Sequence, residues 1–309
     1  MAKLIILCGL PGSGKSYYAE HFKLIDDTFY DGATVIHSSD NIREELFGDA
    51  GSQEDNGRVF ELMRKRTQED LRAGKTVIYD ATNVTRKARK SAIACAHPTN
   101  DTIECHVVWA DPEECIRRDG LRDRKVGPAV IDKMLRRWQS PWLDEGFDKV
   151  EIHLNQHDFD QVRYVASMTS DMHIPHNNPH HKLGVWEHCM QAYNNIVVKH
   201  KDTKHIFNSL AAAAFWHDIG KPYTKFFKHG EDIAHYYDHH CVGGYLAYGL
   251  FLNPDHHLLR DVEMDNICFI SWMIANHMEP FFDSNYYRDL NPKWKWYIDA
   301  IHEADLAAH

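Results

Sequence analysis

Paired cysteines are missing from this sequence. Its seven cysteines (8, 95, 105, 115, 189, 241 and 268) are scattered, odd in number, and form no C-x-x-C pair. A disulfide framework is thereby excluded, and a reducing, cytoplasmic setting is expected. Long apolar runs are missing too. None approaches the roughly 18 residues that a membrane helix needs. Residues 1–8 lack the charged start and cleavage site of a signal peptide, so no membrane or export role is expected. Positive charge is in deficit, with 35 Lys and Arg against 45 Asp and Glu, a net −10. Loose, charge-driven binding to nucleic acid is disfavoured by that balance, which still permits a locally basic channel. Histidine is scarce in one half only: of 23, four precede residue 150 and nineteen follow it. The chain of 309 residues is long enough for two domains, and the histidine asymmetry gives them different chemistry.

What is present begins at Gly9-Leu10-Pro11-Gly12-Ser13-Gly14-Lys15-Ser16, a full match to G-x-x-x-x-G-K-[ST]. The apolar run Leu4–Cys8 before it reads as a buried parallel strand, and Tyr17–Phe22 after it as a helix. In this setting the glycines let backbone N–H groups wrap a phosphate chain, and the helix N-terminus adds partial positive charge. Lys15 is placed to reach the β- and γ-phosphates, and the Ser16 hydroxyl to hold Mg²⁺.

Further strands are expected at Thr34–Ser38, Thr76–Asp80 and Ile103–Trp109, with a possible last one at Lys149–Leu154. Helical patterns at 41–47, 56–73, 86–96 and 112–118 separate them. This alternation predicts an α/β domain with a parallel sheet, whose ligands bind at the carboxyl ends of the strands. Two carboxylates end strands there. Asp40, in Ser38-Ser39-Asp40-Asn41-Ile42-Arg43, is either a proton acceptor beside the γ-phosphate or an N-cap, or both. Asp80 is either a water-mediated Mg²⁺ ligand or a turn residue. Arg43 lies one helical turn after Asp40 and can hold an acceptor phosphate. The charge run 117–128 contains Arg118 and Arg122 on one helix face, suited to a cationic lid over a nucleotide.

GLPGSGKS, SSDNIR, DATN and the R-x-x-x-R lid, in this order, resemble the 5′-kinase domain of phage-type polynucleotide kinase–phosphatases. The resemblance covers residues 1–155. It implies that Gly12, Ser13, Gly14, Lys15, Ser16, Arg118 and Arg122 bind ATP or another nucleotide donor with Mg²⁺. It further implies that Asp40 is the general base on a 5′-hydroxyl, that Arg43 binds the acceptor, and that Arg122 contacts the transferred phosphate.

Residues 143–180 read as a junction punctuated by Pro141, Gly146, Pro175 and Pro179, with weak periodicity. Beyond it no strand is strong, and an all-α domain over 165–309 is expected. Its polar signatures are His188, His217-Asp218 at the end of an Ala-rich helix (209–216), His239, His277 and Asp305. Imidazoles and carboxylates from separate helices suit Mn²⁺, Fe, Co²⁺, Ni²⁺ or Mg²⁺ better than a thiolate zinc site. The set resembles the HD phosphohydrolase superfamily, H…HD-x-G-K…H…H…D. That resemblance implies that His188, His217, Asp218 and Asp305 hold one ion, that His239 and His277 bind a second ion or the substrate phosphate, and that Lys221 contacts phosphate. His240 is the neighbour competing with His239. Asp299 competes with Asp305. His180 and His181 stand unassigned nearby.

Together the halves imply an end-healing enzyme for nucleic acid, RNA or DNA, bearing 5′-hydroxyl and 3′-phosphate or 2′,3′-cyclic phosphate ends, with a ligase acting downstream. No D-x-D-G-T-like segment of an Asp-nucleophile phosphatase occurs. The alternatives are a nucleoside or metabolite kinase fused to an HD nucleotidase, and a nucleotide-sensing regulator.

Overall fold

The computed structural model describes residues 2–29, 34–97, 101–179, 182–200, 207–252 and 264–308, and the chain divides into two compact units. The first comprises Met1–Met134 and Glu145–His157, and the second Leu135–Asp144 and Asp158–His309. The chain therefore enters the second unit briefly before returning to finish the first. His180 and His181 lie outside the described residues.

In the first unit the elements run β1 (Lys3–Cys8), α1 (Lys15–Phe29), β2 (Thr34–Ser38), α2 (Ser39–Phe47), α3 (Asn56–Arg72), β3 (Thr76–Asp80), α4 (Arg86–Ile93), β4 (Thr102–Trp109), α5 (Pro112–Gly120), α6 (Pro128–Leu135) and β5 (Lys149–Leu154). The strands form one sheet in the order β2-β3-β1-β4-β5, and every neighbouring pair is parallel. Burial on both faces explains why β1 reads as an unbroken apolar run, with Leu4 to Cys8 all inaccessible. Ile5, Leu7 and Ile78 pack on Ala19 of α1, with Tyr18, Phe22 and Ile36 closing the layer. The carboxyl ends of β1, β2 and β3 thus converge on one edge, where the loops from Gly9 and Ala81 and the first turn of α2 from Ser39 carry the motifs.

A buried ion pair braces this sheet from behind. Arg89 of α4 donates through Nε and Nη2 to the two carboxylate oxygens of Glu145, at 2.8 and 2.5 Å, with both side chains essentially inaccessible. A third donor, Nη1, reaches the Asn83 carbonyl at 3.0 Å. Asn83 itself has φ +46° and donates its amide to the Leu7 carbonyl at 2.7 Å, tying the end of β3 to β1.

In the second unit the elements are α7 (Gln161–Asp171), α8 (Val185–His200), α9 (Phe207–Trp216), α10 (Lys221–Thr224), β6 (Phe226–Phe227), β7 (Ala234–His235), α11 (His239–Phe251), α12 (Met264–Asn276), α13 (Glu279–Phe282), α14 (Asn285–Asp289) and α15 (Pro292–Leu306). Among its described residues the unit's regular structure is helical apart from the two-residue antiparallel ribbon β6–β7 and a single bridge, Pro175 to Gly184. α11 is buried on every side from Val242 to Phe251, as a central core helix must be. The segment before Glu145 joins this core: Trp138 packs edge-on against Tyr245 at 4.9 Å, and Ser140 hydrogen-bonds Ser271 at 2.7 Å.

The stretch expected to be an irregular junction contains a helix, α7. Asp160 caps it by accepting from the Arg163 N–H at 3.0 Å. Gln161, Tyr164 and Met168 form its buried stripe, and that stripe is polar enough to hide the periodicity.

Candidate functional site

The phosphate loop is shaped by two glycines with positive φ, Gly12 at +82° and Gly14 at +93°. At Gly14 a second constraint is added. A Cβ there would stand 1.6 Å from Asn155 Nδ2 and 3.7 Å from Arg118 Nη1. Asn155, just past β5, donates to the Ser13 carbonyl at 3.0 Å and so latches the loop from its far side. Nothing in the sequence pattern singled out Asn155.

Lys15 is buried and donates to the Leu10 carbonyl at 2.8 Å. Burial pushes its ammonium downward; Asp80 opposes this, and nearby Arg122 adds to it. Ser16 donates to Asp80 Oδ2 at 2.9 Å. Burial raises the Asp80 carboxyl, against the pull of Lys15. Asp80 is therefore a buried partner of the loop's hydroxyl, beyond the turn or cap role open to it.

Asp40 is not the cap of α2; Ser38 holds that position, and Asp40 lies in the first turn. Its carboxylate meets Arg43 Nη1 at 2.9 Å and Arg124 Nη1 at 3.3 Å. Arg43 is further held by the Asn56 amide oxygen at 3.0 Å. An acid and a cation are thus set side by side, with Asp40 half exposed at the end of β2. Arg118 is anchored to Glu114 at 2.6 Å, while Arg122 is exposed. Buried Asp119 between them accepts from the Val126 and Gly127 N–H groups at 3.1 and 2.9 Å, folding the charge run into a closed loop. Asp119 was legible only as one charge in the run.

The second unit gathers the histidines. His188 of α8, His217 after α9, and Asp305 of α15 present ligand-type atoms within 4.8 Å of one another, as do Asp218, His239 and His277. Gly220 makes the approach of the HD turn to α11 possible: a Cβ there would meet the His239 carbonyl at 2.0 Å. The His188 and His217 Nε2 atoms are 3.3 Å apart, and those of His239 and His277 are 3.2 Å apart. Asp305 Oδ1 lies 2.8 Å from His188 Nε2, and Asp218 Oδ1 lies 3.3 Å from His239 Nε2.

The other ring nitrogens explain what these contacts mean. Nδ1 of His217, His239 and His277 each meets the carbonyl three residues earlier, at 2.8 Å. His188 Nδ1 meets the Ala308 carbonyl at 3.3 Å. A ring that donates from Nδ1 turns a lone pair outward at Nε2. At His239 and His277 a lone pair faces a lone pair, which is repulsive until a positive charge is placed between or beside them. Burial and the neighbouring rings hold His277 well below its ordinary value and His239 at about 4, so both are neutral. Despite burial, Asp218 raises the His217 imidazole, so that ring, unlike His239 and His277, favours its charged form. The donor set fits a divalent cation on these grounds. Burial raises the adjacent Cys189 thiol, consistent with an N/O rather than a thiolate site.

Lys221 reaches Asp218 Oδ2 at 2.6 Å and His176 Nε2 at 3.1 Å. His176 donates from Nδ1 to the Leu183 carbonyl at 2.7 Å. This buried histidine was missed in the sequence, where it sits among turn residues with no pattern around it. His240 is outside both clusters, its ring against Phe282 at 5.6 Å. Asp299 is outside too, accepting from the Tyr287 hydroxyl.

Residues 4–141 match the family described as an AAA domain. With the sheet and loop above, this makes the first unit a P-loop kinase-like domain, the class that binds ATP and Mg²⁺. The Arabidopsis thaliana protein named Transcription factor bHLH140 is 28% identical over 168 residues, covering 52% of this chain. The chain spans only 17% of that relative's length. Among solved structures, the Pnkp1/Rnl/Hen1 RNA repair complex is 26% identical over 43% of this chain and 42% of that one, with a TM-score of 0.37. Kti12 of Chaetomium thermophilum with ADP-AlF3 is 15% identical over 52% of this chain and 92% of that one, with a TM-score of 0.38. No helix among the described residues is long and apolar enough to cross a membrane.

Proposed function

We propose that the chain is a bifunctional end-healing enzyme: an ATP-dependent 5′-hydroxyl polynucleotide kinase in its first unit and an HD-type 3′-phosphatase or 2′,3′-cyclic phosphate hydrolase in its second. The observation that carries the second activity is the convergence of four imidazole Nε2 atoms and two carboxylates in one site. His188, His217, Asp218 and Asp305 would hold one divalent ion, with His239 and His277 holding a second ion or the phosphate. A bound ion supplies a water acidic enough to act as a nucleophile near neutral pH. Lys221, steadied by Asp218 and His176, is positioned to neutralise the phosphate under attack.

For the kinase, the support is the Asp40–Arg43 pair at the end of β2, beside a loop that can hold the donor. Asp40 accepts the proton of the attacking hydroxyl, and Arg43 orients the acceptor through its phosphate. Lys15 and Ser16 hold the donor with Mg²⁺, while Arg118 and Arg122 offset charge on the phosphoryl group in flight.

The test is phosphate transfer from ATP to 5′-hydroxyl oligonucleotides beside nucleosides, together with release of phosphate from 3′-phosphorylated oligonucleotides. Transfer to nucleosides alone would point to the small-molecule kinase and nucleotidase. Absence of turnover on both would point to the regulator.

A further inference from the structure

Of its four residues the β6–β7 ribbon buries only Ala234, and it is rich in rings. The stretch Lys221-Pro222-Tyr223-Thr224-Lys225-Phe226-Phe227-Lys228-His229 interleaves cations with aromatics. Phe226, Phe227 and Tyr237 are 39, 49 and 56% exposed. Phe226 is in register with His235, and Tyr237 follows two residues later, so the three side chains share one face. Their ring centroids lie 5.4 to 5.5 Å apart, with His235 and Tyr237 stacked at 26°. Contiguous exposed rings of this kind mark a surface that meets something else.

We propose that this ring cluster is a stacking platform for single-stranded nucleic acid, seating the bases next to a 3′ end that enters the histidine–carboxylate site. The inference rests on the hydrolase reading above and names how that site takes its substrate. Three observations support it. The ribbon is tied to the site: Ala234 N–H donates to the Asn177 carbonyl at 2.8 Å, the Tyr236 hydroxyl donates to the His176 carbonyl, and His239 is only two residues beyond Tyr237. The charge is complementary to a phosphodiester. Lys225 is held by neutral acceptors, the Pro175 carbonyl at 2.6 Å and the Asn177 amide oxygen at 2.7 Å, so those contacts leave its charge uncompensated; it lies beside the Phe227 ring, which alternates to the other face of the ribbon from Phe226. Glu231, the acid that meets the cluster's His235, is held by it at 3.0 Å. Finally, flat rings select bases of any identity, since every base offers a π-face, and this suits an enzyme acting on ends of arbitrary sequence.

The test uses full-length, metal-loaded protein and a 3′-phosphorylated oligonucleotide whose 5′ end is blocked with a fluorophore, so that the kinase site is not engaged. Binding is read by anisotropy, and hydrolysis is compared with that of a small aryl phosphate. In the double variant Phe226→Ala/Tyr237→Ala, oligonucleotide affinity and the preference for oligonucleotide over aryl phosphate should each fall about tenfold or more. Tenfold corresponds to about 1.4 kcal/mol, in the range for a base stacked on a ring. The ring-preserving variant Phe226→Tyr/Tyr237→Phe should retain both. Unchanged affinity and preference in the alanine variant, or equal losses in the two variants, would overturn the platform. If the wild type hydrolyses neither ester, the hydrolase reading falls, and the anisotropy arm alone decides whether the ribbon binds single strands.

Discussion

The Nε2 atoms of His239 and His277 face each other at 3.2 Å, although each ring has committed its other nitrogen to a backbone carbonyl. Such a contact is favourable only with positive charge between or beside the rings. Replacing His277 or Asp305 by Ala should therefore lower bound divalent metal at least about tenfold, and phosphohydrolase turnover with it. Asp299→Ala should leave metal content unchanged, because Asp299 serves the Tyr287 hydroxyl instead. Elemental analysis after gel filtration decides; full occupancy in Asp305→Ala would remove that residue from the site.

Lys15→Ala and Asp40→Asn should each abolish phosphate transfer from ATP and leave 3′-phosphate release near wild type. The two sets of residues lie in separate compact units. Parallel loss of both activities in folded, soluble variants would contradict two independent sites.

Arg122→Ala should slow the kinase by roughly 10²–10⁴, the effect of losing a cation at the transferring phosphoryl group. Arg43→Ala should instead raise the oligonucleotide concentration needed for half-maximal rate, with ATP hydrolysis little changed. An unaltered oligonucleotide dependence would leave the acceptor without its proposed ligand.

The sequence was most informative where one physical effect dominates. The central strands β1, β3 and β4 were visible because burial enforces apolar runs, the edge strand β5 through its alternation, and β2, β3 and β5 begin and end where the pattern placed them. The phosphate loop was visible because glycine conformations and a lysine are needed at fixed spacing. Asn155, Asp119 and His176 were not visible. Each acts through a contact made after folding: Asn155 with Ser13, Asp119 with the backbone of 126 and 127, and His176 with Lys221, 45 residues away. No local pattern encodes a partner that distant. His239 opens α11 facing His277, while His240 turns toward Phe282, a difference of orientation between neighbours that residue type alone does not encode.

Acid should lower the stability of the first unit over two successive pH ranges. Burial, with His106 adding to it, lowers His153 to about 4, below its ordinary 6.5. The unfolded chain takes up that proton first, so the associated stability is complete above pH 6.5 and declines as pH falls toward 4. Glu104 is lowered from 4.5 to about 2 chiefly by its hydrogen bond to His106, and its contribution is lost only below pH 4.5. In urea titrations across pH, His153→Gln should flatten the first decline and keep the second. An unchanged profile between pH 6.5 and 4 would exclude His153 as its source.

Glu145→Ala should destabilise the first unit by about 3–5 kcal/mol, because Arg89 is left charged and buried without its partner. Its urea midpoint should fall accordingly, and a loss under 1 kcal/mol would mean that water or another acceptor replaces Glu145.

That ion pair, with the Asn155 latch, also bears on how this protein can be divided and on how it emerges from the ribosome. Glu145 and Asn155 both follow the excursion Leu135–Asp144 into the helical unit. A fragment cut where the family match stops, at residue 141, keeps every nucleotide-binding motif. It lacks the carboxylate for Arg89, the amide that holds Ser13, and the strand that covers β4. During synthesis the same vacancy exists in time: the phosphate loop is braced only after about 140 further residues have left the tunnel. Expression of the kinase half alone should therefore extend through residue 157, the end of its compact unit.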